Sequence, residues 1–167
     1  MSYSRVEKAA HRDYMKYAER GGEPIEVAGI LFVALFFYAH QAWSTGFFTS
    51  SFGLREAFFL YGSILIGTVG PISRLITGRR NISRPPEVMA SLLTILGSIW
   101  LFIVFPFNFA HFAAVMPGFL QFLLSWITNE IARVLFTLAI IGEIIGTVVN
   151  AIIYIKIRKL LLPQQMH

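Results

Sequence analysis

The sequence predicts an all-α membrane protein whose four transmembrane helices form one bundle. Hydrophobic residues make up 56% of its 167 positions and charged residues only 14%, whereas soluble domains carry about 25% charged residues. Four apolar stretches each approach the roughly 20 residues needed to cross the hydrocarbon core of a bilayer. The connections between them are short, so no room remains for a large soluble domain.

The chain before the first apolar stretch, residues 1–22, is predicted to be a cytoplasmic amphipathic helix on the membrane surface. Ser4 and Glu7 fit a capping box, and aromatic and apolar residues recur at helical spacing beside basic ones that favour anionic lipid headgroups. A solvated helix that merely flanks the first span fits the same pattern. Residues 23–160 then form the transmembrane domain, and residues 161–167 form a cytoplasmic tail.

Turn residues and changes in polarity bound the four spans. The predicted spans are approximately Ile25–Trp43, Glu56–Ile76, Pro86–Phe105 and Asn129–Leu160. A basic turn, Gly78–Pro86, joins the second span to the third. The segment Phe107–Thr128 is aromatic and lacks Lys, Arg, Asp and Glu, but prolines and a glycine interrupt it. It is therefore predicted as one or two short helices at the outer membrane interface.

Small residues mark two of the spans as sites of close helix packing. Glycine lets helix backbones approach closely in a bilayer, and the predicted packing positions are Gly62, Gly67, Gly70, Gly142 and Gly146. Pro71 follows Gly70 directly, and this pair predicts a kink in the second span. A hinge or an ion-coordinating break is the alternative to simple close packing there.

The distribution of Lys and Arg predicts the orientation. Basic residues concentrate before the first span, between the second and third, and after the fourth, while the other two connections hold only Arg55 and Arg133. By the positive-inside rule both termini are cytoplasmic, in a plasma membrane. Three arginines of the basic turn are candidates for binding anionic lipid headgroups, although the same rule accounts for them: Arg79, Arg80 and Arg84.

Glu143 is the one acidic residue in the middle of the fourth span. Thr147 and Asn150 follow it at i+4 and i+7 and form a polar stripe. An ionised group at the bilayer centre costs about 3 kcal/mol or more, so this face is expected to meet protein or water. Three interpretations stay open: a proton or cation transport site, an intersubunit contact, and a neutral carboxyl bonded to Ser or Thr on neighbouring spans.

The sequence contains no motif that predicts enzymatic activity, a metal site or a cofactor. Cysteine is absent, and serine-nucleophile and phosphate-loop patterns are missing. His40 and His111 lack the spacing and the carboxylate partner of a metal or haem site. The net charge of +5 follows from the positive-inside rule, so no nucleic-acid partner is predicted.

Two segments resemble a known group of proteins. Residues 106–112 (PFNFAHF) and 124–135 (LSWITNEIARVL) are similar to small uncharacterised four-span integral membrane proteins of prokaryotes. The resemblance covers the C-terminal third of the chain. It implies the four-span topology and transfers no functional residue.

A bundle of this size has little interior, so its polar and small-residue faces predict a homo-oligomer or contact with other membrane subunits. The expected function is an oligomeric channel or transporter-like protein with Glu143 as its buried ionisable group. A non-catalytic accessory or scaffold subunit of a larger membrane complex is the alternative. At the cytoplasmic helix ends, charged residues are expected to pair across neighbouring helices: Glu23, Glu26, Arg74, Glu87 and Lys156.

Overall fold

The chain is all-α over residues 13–161, which a computed structural model describes. The helices are α1 (Tyr17–Arg20), α2 (Glu23–Ala42), α3 (Leu54–Ile66), α4 (Val69–Thr77), α5 (Arg80–Val104) and α6 (Asn129–Leu161), with 3₁₀ helices at Phe109–His111 and Gly118–Leu123. This range contains no β-strand, only two isolated bridges, Tyr14 to Arg79 and Phe48 to Phe107.

Four helical stretches are long and apolar enough to cross a membrane, as predicted. They are Glu23–Ala42, Leu54–Thr77, Arg80–Val104 and Asn129–Lys159. Large apolar side chains remain exposed along all four, among them Phe32, Phe58, Ile103 and Leu138. Soluble monomers rarely expose large contiguous apolar patches, so side chains of this kind along four long helical stretches favour a membrane environment.

The second stretch is interrupted, as its glycines and Pro71 predict. The break falls at Gly67 and Thr68, where the Thr68 hydroxyl donates to the Leu65 carbonyl at 2.7 Å. Pro71 is buried in the first turn of α4, where a missing N–H costs no helical hydrogen bond.

The third stretch starts earlier than predicted. α5 begins at Arg80 and not at Pro86, so the predicted basic turn reduces to Gly78 and Arg79. A residue from a distant segment caps this helix: the carboxylate of Asp13 accepts from the backbone N–H of Asn81 at 2.7 Å. This acceptor satisfies a helix N–H that would otherwise lack a partner.

The prediction of an amphipathic helix over residues 1–22 is wrong at residues 14–16. Tyr14 pairs with Arg79, and the Met15 N–H donates to the Gly78 carbonyl at 2.9 Å. These bonds hold the backbone extended along the turn between α4 and α5, and helix resumes only in the four residues of α1. Residues 1–12 of that prediction, and residues 162–167 of the predicted tail, lie outside the described residues.

At the opposite end of the helices, aromatic side chains form an apolar core. Phe47, Leu60, Leu101 and Phe107 are buried there, and further phenylalanines pack around them. The two 3₁₀ helices lie in the segment predicted to hold one or two short helices. Asn129 ties this segment to α6, since its side-chain oxygen accepts from the Phe109 N–H at 2.8 Å.

Candidate functional site

One guanidinium joins three helices at the end where α4 meets α5. Nε of Arg74 (α4) donates to both carboxylate oxygens of Glu23 (α2) at 2.9 Å, its Nη2 lies 2.9 Å from Glu26, and its Nη1 lies 2.7 Å from Glu87 (α5). The side chains of Glu23 and Glu87 are only 8% and 14% exposed. This Arg74 cluster confirms the predicted pairing of these four residues. Lys156 makes no ion pair within residues 13–161.

Asn150 links α6 to this end of the structure. Its side-chain oxygen accepts from Nη1 of Arg84 at 2.7 Å, and its amide nitrogen lies 3.5 Å from Glu87. Nε of Arg84 is buried and has no hydrogen-bond partner in the described part of the chain. Asn150, predicted as a member of the Glu143 stripe, is thus also a neighbour of the Arg74 cluster.

A cavity of about 340 Å³ opens beside these residues. Segments far apart in the sequence form it, from Met15 before α1 to Asn150 on α6. Its polar lining comprises Glu19, Glu23, Arg74, Arg80, Arg84, Glu87 and Asn150.

The three arginines predicted to bind lipid headgroups lie together at the start of α5. Arg79 pairs with the buried Asp13 at 2.9 Å, and Arg80 lies 3.2 Å from Glu19. Arg84 has only the neutral Asn150 as a partner within residues 13–161. The Lys16 N–H, which donates to Glu19 at 2.9 Å, lowers the pKa of the Glu19 carboxyl, and the charge of Arg80 adds to this shift.

Glu143 lies near the middle of α6 and is partly buried. Its carboxylate has no hydrogen-bond or ion-pair partner in the described chain, so none of the Ser and Thr side chains considered from the sequence bonds to it there. Thr147 is buried, and its hydroxyl donates to the Glu143 carbonyl at 2.7 Å. Gly142 and Gly146 are exposed, and at either position an added Cβ would meet nothing within 4 Å in the described part of the chain.

The predicted packing glycines therefore differ in their surroundings. Gly70 lies against Glu87 and Arg74, where a Cβ would come within 3.0 Å and 3.2 Å. A Cβ at Gly67 would come within 3.0 Å of the carbonyl of Ile64 in the last turn of α3, whereas a Cβ at Gly62 would meet nothing within 4 Å among residues 13–161.

Gly97 is the tight helix contact that the sequence interpretation missed. A Cβ there would overlap with Oγ of Ser63 and approach the Phe59 carbonyl to 3.3 Å. The spacing of seven residues between Ala90 and Gly97, both buried, is the sequence signal that identifies this face.

His40 holds the aromatic end together by two hydrogen bonds. It is 1% exposed, with Nδ1 2.6 Å from the Thr45 hydroxyl and Nε2 3.1 Å from the Phe112 carbonyl. A carbonyl only accepts, so the Nε2–H tautomer fits this geometry, with the Thr45 hydroxyl donating to Nδ1. Residues 13–161 contain no group of three His, Cys, Asp or Glu side chains that could hold a metal ion.

Comparison of the chain with protein-family models, with curated proteins and with solved structures finds no significant match.

Proposed function

We propose that the chain is an integral membrane protein that crosses the plasma membrane four times as a helix bundle, with both termini in the cytoplasm. The four long apolar stretches and their exposed Leu, Ile, Val and Phe side chains support insertion. The arginines around the α4–α5 turn and the basic residues that end α6 support the orientation.

Within this membrane the protein acts as a non-catalytic subunit of an assembly, and α6 meets another chain. The observation that carries the proposal is the Glu143 face: a partly buried carboxylate without a partner in the described chain, beside the uncovered Gly142 and Gly146. An isolated charge at the bilayer centre costs about 3 kcal/mol or more. A second helix packed on the two glycines offsets this cost by bonding to Glu143.

Ion conduction is the second candidate, favoured by the polar line that leads from Glu143 to the cavity. Asn150 contacts the cavity and lies seven residues from Glu143, which is about 10 Å along a helix. Buried Thr147 lies between them. Towards the other end, residues 134–141 contain only Thr137 as a polar side chain, so a complete path needs other chains to supply polar groups.

Disulfide crosslinking tests the contact directly, because the chain has no cysteine of its own. Ala139 lies one turn before Glu143 on the side of Gly142 and Gly146, and Val148 lies on the opposite side of α6. Both residues are exposed. In membranes, Ala139→Cys is expected to form a crosslinked dimer, while Val148→Cys is the matched control.

Equal crosslinking of the two variants, or none at Ala139, would contradict a contact between two copies of the chain through this face. The second candidate has a separate readout in liposomes, where Glu143→Gln is expected to abolish proton-linked flux while leaving the Ala139 crosslink in place. Wild-type liposomes without ion flux would remove conduction and leave the assembly proposal standing.

A further inference from the structure

The cavity beside the Arg74 cluster has an excess of hydrogen-bond donors. Each carboxylate in its lining already has a donor: Glu19 has Arg80 and the Lys16 N–H, Glu23 has Arg74, and Glu87 has Arg74. Each of these three carboxylates is therefore already paired within residues 13–161.

Arg84, in contrast to these carboxylates, has hydrogen-bonding groups without a partner in the described residues. A guanidinium has five N–H donors, and within residues 13–161 Arg84 uses one of them, towards the neutral Asn150. Its Nε is buried and unpartnered in the same range. Glu87 is bonded to Arg74 and reaches Arg84 only through Asn150. Burying a cation is costly unless its donors are satisfied, so the unused donors of Arg84 favour an anion in this part of the cavity.

Arg80 adds a second guanidinium on the same side of α5, because residues four apart lie on one helix face. It contacts the cavity, its side chain is 45% exposed, and its contact with Glu19 is 3.2 Å long. Two planar guanidinium groups that converge on one space suit a ligand with several oxygens around one centre. Phosphate has this geometry and accepts paired N–H donors.

We propose that this cavity binds a phosphate group, with Arg84 as the principal contact and Arg80 as the second. Its volume of about 340 Å³ is roughly ten times the share of one water molecule, about 30 Å³, so a phosphate and its ester substituents fit. The cavity lies at the ends of the apolar stretches, where lipid phosphates lie in a bilayer. A phospholipid headgroup is therefore the first source to test, and free phosphate is the second.

The experiment is a set of thermal-unfolding titrations on the delipidated full-length protein in detergent. The probes are dioleoylphosphatidylglycerol, dioleoylglycerol as the matching lipid without phosphate, and inorganic phosphate. The proteins are the wild type, Arg84→Gln, Arg80→Gln and the control Arg158→Gln. Arg158 is exposed on α6 and is not in the cavity lining.

Phosphatidylglycerol is expected to raise the melting temperature of the wild type and of Arg158→Gln equally. Arg84→Gln should need about tenfold more lipid for half of the effect, since a charge-assisted hydrogen bond is lost, and dioleoylglycerol should have no effect. Stabilisation by inorganic phosphate alone, lost in Arg84→Gln, would support the phosphate site and reject the lipid as its source.

The proposal would be overturned if the wild type and Arg84→Gln had equal titration midpoints with phosphatidylglycerol and with inorganic phosphate. It would also be overturned if the two lipids raised the melting temperature equally and inorganic phosphate had no effect. If Arg84→Gln does not fold, Arg80→Gln decides, because its side chain is 45% exposed and an exposed ion pair contributes little to stability. A several-fold weaker response of Arg80→Gln supports the site, and a response equal to that of the wild type overturns it.

Discussion

The Arg74 cluster and the Glu143 face both place carboxylates on long apolar helices, but they satisfy them differently. At the cluster, one guanidinium serves three carboxylates from two other helices at 2.7–2.9 Å. At Glu143 no described side chain bonds to the carboxylate, and the neighbouring Gly142 and Gly146 are uncovered. The first arrangement stabilises the fold of one chain. The second leaves the Glu143 carboxylate and the glycine surface beside it available to a partner outside the described residues.

The largest expected effect comes from breaking the cluster. Arg74→Gln removes the cation that contacts Glu23, Glu26 and Glu87, and leaves the buried carboxylates of Glu23 and Glu87 without an ion-pair partner among the described residues. Removing one partner of a buried ion pair costs about 3–5 kcal/mol, so we expect a loss of this size in the free energy of unfolding in detergent. Glu143→Gln in the same assay is expected to change little.

A double variant distinguishes charge from packing at the cluster. Glu23→Gln combined with Arg74→Gln removes one of the uncompensated charges, so the pair should be more stable than the Arg74 variant alone. Equal losses for the single and double variants would show that Arg74 matters only for packing.

Smaller effects are expected from alanine substitutions at two glycines, and the two effects have opposite signs. Gly97→Ala places a methyl group against Ser63 and the Phe59 carbonyl, and overpacking of this kind costs about 1–3 kcal/mol. The methyl group of Gly142→Ala would meet nothing within 4 Å among residues 13–161, and this variant gains up to about 1 kcal/mol of helix propensity. The free energy of unfolding in detergent measures both, and a loss at Gly142 in a monomeric preparation would contradict its open setting.

Gly142→Ala also tests the proposed contact between chains separately from the stability of the single chain. If another helix packs on Gly142, the added methyl group should weaken the Ala139 crosslink in membranes even though the single chain is not destabilised. An unchanged crosslink would place the contact elsewhere on α6.

The smallest effect concerns Glu19, an exposed neighbour of the cavity. Its pKa is lowered, chiefly by the Lys16 N–H and further by Arg80. A lowered pKa means that the carboxylate contributes stability above the ordinary Glu value of about 4.3, and that this contribution disappears as the pH falls through the lowered value. The melting-temperature gap between the wild type and Glu19→Gln should thus be constant from pH 7 to 5 and close below it. A gap that widens towards acid would contradict this assignment.

Local patterns in the sequence were sufficient to predict the helices and the cluster. Four apolar stretches predicted four helices, Gly70 and Pro71 predicted the break in the second, and the positions of Glu23, Glu26, Arg74 and Glu87 at helix ends predicted their pairing. Each of these features depends on residue type and spacing within one element, or on the alternation of helix ends.

Long-range contacts account for the predictions that were wrong or missing. α5 starts at Arg80 because Asp13 caps it from 68 residues away, and no local pattern around Pro85 and Pro86 indicates such a cap. The cavity combines residues from Met15 to Asn150. The environment of Gly97 depends on Ser63 of α3, so its sequence neighbours alone do not distinguish it from the open Gly142.

The mass of the purified complex in native-like lipid tests the central claim most directly. A single chain has a mass of 18.9 kDa, and assembly through the Glu143 face predicts a particle that contains more than one protein chain. Replacing Gly146 with Leu should reduce that particle to one chain while leaving the Arg74 cluster and the fold intact. A wild-type particle that contains a single chain and no other protein would contradict the claim.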